Sequence, residues 1–436
     1  GLPLISILIY HSTEKKEVKI SYPFSLITIF LLITSYLSLD YFTEFSEKKR
    51  SLLPLTLFPK KKEIISLNNY LKKPIPESEE QKILSKKEFP FKKKNNIYLF
   101  VAESFRNDLI NKEKTPNLYA FKKECLDFKL SLANANSSQI SWFSIFHSNY
   151  PYLWRECQKN KKDGSLMLQL FKKLGYSIHL YTSAELSYFH MDKLLFGENL
   201  SLIDKIIDLS QYKNLTPAER DEKIFNHFSK TSQQSDSTLN IFFLDATHSE
   251  YSWPSDFPTF YKPVSSSINY VKISQSKKNL HLIKNRYFNA ARYIDHLFGK
   301  FKSLISNDSI IVFTGDHGEE FFEEGALFHS THLNSYQTEV PILMRFPDLK
   351  GSYSHISHMD IFPTLIHYLT KKDELSDLVN GSSIFNPKRC PYVITVQQNN
   401  GHTPYLFQLH NGEEKIIGSF EKKDIFAVGA NANWLV

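Results

Sequence analysis

Short apolar runs recur along the chain, each bounded by polar or glycine-containing segments: "IYLFVA" from Ile97, "IFFL" from Ile241, "IIVF" from Ile310 and "PILM" from Pro341. Runs of this length without polar alternation predict strands buried on both faces. Between them lie stretches with apolar residues three and four apart, such as "SLMLQLFKKLG" and "NRYFNAARYIDHLFGKFKSLI", which predict helices. This alternation implies an α/β fold, a mostly parallel central sheet flanked by helices on both faces. No internal repeat or low-complexity tract interrupts it.

Ahead of this domain the pattern changes. The first ten residues, GLPLISILIY, are almost wholly apolar, and a polar loop with Lys15, Lys16 and Lys19 follows. Residues 22–41, YPFSLITIFLLITSYLSLDY, contain no basic residue and one acid near the end, and have about the length needed to cross a bilayer. They predict a transmembrane helix, with the opening decapeptide as the end of an earlier one; because Ser and Thr dilute the segment, a buried core helix is the alternative reading. No small-residue cleavage site follows, which argues against a signal peptide. Residues 44–95 mix lysines, prolines and short apolar pieces without a period, and read as a basic juxtamembrane linker with no structure assigned. The expected organisation is therefore a transmembrane region over 1–43, a linker over 44–95 and a large domain over 96–436.

Composition adds little to this picture and removes some alternatives. The 436 residues suffice for one large α/β domain with ample core. The formal charge is +7, with runs such as Lys60–Lys62 and Lys92–Lys94 that fit a solvated face or attraction to anionic lipid headgroups. No nucleic-acid-binding signature accompanies them, so no nucleic-acid partner is expected. Cys125, Cys157 and Cys390 show no zinc or redox spacing. A Cys125–Cys157 disulfide is compatible with a domain outside the cytoplasm.

In α/β sheets the carboxyl ends of strands open into loops that carry chemistry. Glu103 follows the first strand of the domain, as a cation ligand or as the cap of the next helix. Ser137 and Ser138 precede a helical stretch, where backbone N–H groups favour an alkoxide or a phosphate, and where serine also serves as an ordinary N-cap. A hydroxyl becomes a useful nucleophile at neutral pH only beside a base or a metal. His248 follows another strand, and Asp316–His317 a third, with His329 and His332 shortly after as surface residues or as parts of a metal or phosphate site. Glu319 and Glu320 read as the solvated beginning of the following loop.

Taken in order, "VAESFRNDL", "NSSQISWFSIFHSNYP", "DATHSEY", "FTGDHGEEF", "QTEVPIL" and "MDIFPTLI" resemble the alkaline phosphatase superfamily over roughly residues 95–375. The likeness is to its sulfatase-like branch, which holds lipoteichoic acid synthases, phosphoethanolamine transferases and YejM-like proteins. The resemblance implies that Glu103, Asp316, His317 and the Ser138 oxygen hold one divalent cation, Zn²⁺ first and Mn²⁺ or Mg²⁺ as alternatives. It implies Ser138 as nucleophile, with Ser137 as the one-residue slip, and His248 and His329 as phosphate-contacting histidines. Transferases of this branch usually carry threonine at the nucleophile position. Sulfatases need a Pro two residues on and an Arg four residues on, where this chain has Ile140 and Trp142.

The expected function is therefore metal-dependent transfer or hydrolysis of a phosphate-ester headgroup, phosphoethanolamine- or phosphoglycerol-like, through a seryl nucleophile. The donor would be a phospholipid headgroup and the acceptor a lipid or glycan. The site would face the periplasmic or extracellular side of a bacterial inner membrane. A non-catalytic YejM-like lipid-binding regulator is the alternative, and sulfuric ester hydrolysis is disfavoured. Segments 190–235 and 250–280 are expected to shape the acceptor pocket.

Overall fold

Ile97, Leu99 and Val101 point to one side of their strand and Tyr98, Phe100 and Ala102 to the other, and all six are buried. The strand therefore demands a hydrophobic layer on each face, and the fold supplies both. In a computed structural model, residues 75–86, 95–231, 237–268, 279–372, 375, 378–398, 404–419 and 425–429 are described. All of them fall within one compact unit, Ile64–Ala432.

The strands are β1 Ile97–Ala102, β2 Asp127–Leu132, β3 Ser177–Thr182, β4 Lys205–Asp208, β5 Thr238–Leu244, β6 Ile310–Gly315, β7 Glu320–Phe321, β8 Leu327–Phe328, β9 Ile342–Arg345, β10 Ser352–Ser357, β11 Val393–Gln398, β12 Pro404–His410, β13 Glu414–Ser419 and β14 Ile425–Gly429. The principal helices are α1 Glu77–Lys86, α2 Pro116–Lys122, α3 Ser138–His147, α4 Leu166–Lys173, α5 Met191–Phe196, α6 Pro217–Thr231, α7 Leu280–Lys302 and α8 Ile361–Thr370.

The central sheet has six strands in the order β4-β3-β5-β1-β6-β9. All neighbours in it are parallel except β9, which runs antiparallel to β6 at the edge. One face packs against α3, α4, α5 and α8, with Phe143, Phe146, Leu168 and Leu365 in that core. The other packs against α2, α6 and α7, with Phe121, Phe228, Phe298 and Phe301. This is the α/β architecture that the apolar runs predict. The carboxyl-terminal part adds a four-stranded antiparallel sheet, β11-β12-β13-β14.

Register places the site. Ala102 pairs with both Leu244 and Gly315, so β5, β1 and β6 end flush. Glu103, Asp245 and Asp316, each the next residue, therefore leave the sheet side by side.

Part of the segment read as an unstructured linker is helical, because α1 buries Leu84 in the core and pairs Glu80 with Lys161, both charges being almost wholly buried. The cysteines are free: Cys125 lies in one core and Cys157 in the other, on opposite faces of the sheet, so the disulfide does not form. The predicted membrane segment 22–41 lies outside the described residues, and among the described residues no helix is long and apolar enough to cross a membrane.

Candidate active site

The loop after β1 begins with Glu103 and turns at Ser104, whose φ of 53° is in the left-handed region. That unusual backbone aims the Ser104 N–H at Asp316 Oδ1, 2.8 Å away. The His317 N–H donates to the same oxygen at 2.7 Å, and the Trp142 indole Nε1–H donates to Asp316 Oδ2 at 3.1 Å. Asp316 is thus held from three directions with no exposure to solvent. The His317 Nδ1–H donates to the Gly318 carbonyl at 2.9 Å, which turns the Nε2 lone pair toward Ser138.

Ser138 is the first residue of α3, at the positive end of a ten-residue helix. Its Oγ lies 3.1 Å from His317 Nε2, 3.2 Å from Glu103 Oε2 and 3.4 Å from Glu103 Oε1. His317 Nε2 is itself 3.4 Å from Glu103 Oε1. Ser137 Oγ, by contrast, is buried without a hydrogen-bond partner. The geometry therefore brings Ser138, Glu103, Asp316 and His317 together and leaves the Ser137 hydroxyl outside the set.

Glycine is obligatory on both sides of the Asp–His pair. A Cβ at Gly315 would stand 2.2 Å from the Phe105 carbonyl oxygen, and one at Gly318 would stand 2.0 Å from that of Tyr336.

The charges do not balance. Burial tends to raise the Glu103 carboxyl, but hydrogen bonding and charge from His317, with His248 and His329 nearby, hold it well below the usual range. Burial, followed by the Glu103 carboxylate beside it, pushes Asp316 well above that range. Burial works against a charged His317, yet the Glu103 carboxylate raises it. Two buried acids thus share one imidazole. Their donor atoms, with His317 Nε2, lie within 4.8 Å of one another, so this cluster could hold a metal ion. A divalent cation would supply the missing positive charge, and an O,O,N donor set with a serine oxygen beside it suits Zn²⁺.

Glu103, Ser138, Trp142, His248 and His329 line a cavity of about 760 Å³ whose walls also include residues 213–217 and Arg220. His329 Nδ1 lies 3.2 Å from Glu319 Oε1, and its ring is 4.2 Å from that of His317. His248 is exposed on the turn after β5. That turn is fixed from behind by Asp221, which accepts from the Asp245 and Ala246 N–H groups, and by the Thr247 hydroxyl, which donates to the Glu103 carbonyl at 2.6 Å. Burial raises Asp221 to about 7. His332 is exposed and does not line the cavity. The predicted acceptor-pocket segments contribute Lys213 to Pro217, Arg220 and Glu250 to its lining.

Glu319 and Glu320 correct the sequence reading, because neither is solvated. Both are fully buried: Glu319 beneath His329, Glu320 accepting from the Ala326 N–H and the Gln337 amide. The reason is tertiary, since the hairpin β7–β8 and the helical turn Ser335–Thr338 close over them. Trp142 was legible only as a departure from the sulfatase pattern. The signal that it belongs to the site is its spacing, four residues after Ser138 and so on the same face of α3.

The family model described as Sulfatase matches residues 95–371. An uncharacterized protein of Haemophilus influenzae is 22% identical over 313 residues, which cover 70% of this chain. The match covers only 46% of that relative's length. A phosphonate monoester hydrolase from Silicibacter pomeroyi superposes with a TM-score of 0.63 at 12% identity, covering 78% of this chain and 89% of that one. The lipoteichoic acid synthase LtaP from Listeria monocytogenes gives 0.54 at 17%, covering 80% and 91%. The periplasmic domain of EptC from Escherichia coli in complex with Zn gives 0.53 at 17%, covering 72% and 94%. At these identities the structural likeness establishes the fold alone.

Proposed function

The chain belongs to the sulfatase family of the alkaline phosphatase superfamily, and on that premise we propose that it transfers or hydrolyses a phosphate-ester headgroup through Ser138. The observation that carries the proposal is the Ser138 hydroxyl, set at a helix N-terminus 3.1 Å from His317 Nε2 and 3.2 Å from Glu103. Ile140 and Trp142, in place of the sulfatase Pro and Arg, favour phosphorus over sulfur chemistry.

Glu103, Asp316, His317 and Ser138 would hold the divalent cation, which when bound lowers the pKa of the hydroxyl and screens charge on the phosphate. Ser138 gives up its proton to bulk solvent and its oxygen attacks phosphorus. The bond from phosphorus to the lipid alcohol breaks, and a phosphoseryl ester forms. With Nδ1–H directed at Glu319, His329 in its imidazolium form presents Nε2–H, whose proton passes to the departing alkoxide. His248, on the cavity wall, contacts the non-bridging oxygens. An acceptor hydroxyl or water then attacks phosphorus, passing its proton to the His329 Nε2 freed in the first step, while the phosphorus–oxygen bond to Ser138 breaks and the serine oxygen takes a proton from solvent.

The donor in this reading is a phospholipid headgroup such as phosphoethanolamine or phosphoglycerol, and the acceptor a lipid or glycan. The relatives named for lipoteichoic acid synthesis and for a periplasmic domain support a site at the outer face of the bacterial inner membrane, reached by the anchor predicted over residues 22–41. The test is intact-mass analysis of the full chain after incubation with phospholipid and Zn²⁺. Wild type acquires a mass corresponding to a phosphoryl headgroup on Ser138, and Ser138→Ala does not. An adduct of equal yield in Ser138→Ala overturns the assignment, and its selective loss in Ser137→Ala moves the nucleophile by one residue.

A further inference from the structure

Trp142 is almost wholly buried, and its ring packs edge-on against Phe243 at 4.8 Å. A buried indole N–H requires an acceptor, and many backbone carbonyls would serve. Here the acceptor is Asp316 Oδ2, the one oxygen of that carboxylate which no backbone N–H reaches. Each carboxylate oxygen has two lone pairs. Oδ1 spends both on the Ser104 and His317 amides, and Oδ2 spends one on Trp142. A single lone pair on Oδ2 is left for a cation.

We infer that Trp142 is a positioning residue for the metal site: by holding Oδ2 it orients Asp316, whose Oδ1 the two amides occupy, as a one-oxygen ligand, and so favours a cation of low coordination number, Zn²⁺, over Ca²⁺, which takes six to eight oxygens. This rests on the metal-dependent reading above and adds a residue to it. Trp142 comes from the same helix that carries Ser138, four positions on. One rigid element therefore sets both the hydroxyl and the carboxylate orientation, and a shift of α3 would disturb the two together.

The test measures metal binding rather than turnover. In the full chain solubilised in detergent, Zn²⁺ affinity is determined by competition with a chromophoric chelator for wild type and Trp142→Phe, which keeps an aromatic ring and removes the donor. A loss of about 10–100-fold in Zn²⁺ affinity is expected, the range for removing a partner of a metal ligand, with a smaller change for Ca²⁺. The chain has four tryptophans, so in protein labelled with ¹⁵N at the indole nitrogen one Nε1–H resonance should shift on Zn²⁺ addition and be missing in Trp142→Phe. Should Trp142→Phe fail to fold, Phe substitutions at Trp154, Trp253 and Trp434 assign that resonance by elimination. Equal affinity in the two proteins, or a Trp142 resonance that does not respond to Zn²⁺, overturns the inference. Absence of Zn²⁺ binding by wild type overturns the metal-dependent reading itself.

Discussion

Glu319 shows how a residue can change meaning once its surroundings are known. It is 0% exposed, one oxygen faces His329 Nδ1 and the other has no partner. Its carboxylate holds one proton on Nδ1 of His329 and so leaves Nε2 as the nitrogen that exchanges a proton with the substrate. Glu319→Ala should lower turnover of a phosphodiester substrate by about 10²-fold or more, since general acid–base assistance contributes roughly 10²–10⁴-fold. Glu319→Gln, whose amide oxygen still accepts from Nδ1–H, should keep most of it. Equal rates for Ala and wild type would remove Glu319 from the site. At this scale Glu103, Ser138, Asp316 and His317 were legible because each lies within two residues of the end of an apolar strand or opens a helix. Glu319 was not, because it is buried by the β7–β8 hairpin and the turn Ser335–Thr338, and nothing within "DHGEEF" announces that the chain folds back over itself.

Among the elements, α3 and α1 carry separate predictions. His147 closes α3, stacked on Phe143 and fully buried, and burial lowers its imidazole to about 3, as it does His358 beneath β6. Both remain neutral in the folded protein while an unfolded histidine takes its proton near 6.5. Their stabilising contribution is present above that pH and is lost as pH falls through 6.5 toward 3. His147→Gln should flatten the fall in melting temperature over that window, and an unchanged slope would contradict it. In α1, Glu80→Ala leaves Lys161 charged and buried, and should cost about 3–5 kcal/mol, whereas replacing both partners by Leu and Met should be near neutral. Denaturant midpoints of the single and double variants decide it. Strands β1, β5 and β6 were readable because burial on both faces leaves an uninterrupted apolar run. The antiparallel direction of β9 and the whole of β11–β14 were not: "VITVQQ" and "EKIIGS" mix polar and apolar positions, and strand direction is set by long-range connection rather than by local pattern.

For the whole molecule, a cation at the junction of β1, β6 and α3 would tie together segments far apart in sequence, and its binding should appear as global stability. Zn²⁺ at about 100 times its dissociation constant should add about 2.7 kcal/mol, and a chelator should remove it. A thermal melt unchanged by either would exclude a bound structural cation. The cysteines lead to something practical. Cys125 and Cys157 are sealed in opposite cores, where burial raises both thiols, the latter to about 12, so neither offers a thiolate. Cys390 alone is exposed, beside the end of β10 through the His355 contact to its carbonyl. A maleimide spin label or fluorophore should therefore couple at one position of the native chain without any mutagenesis. Distances from that label to labelled lipid would test whether the domain lies at a bilayer, as the proposed function requires.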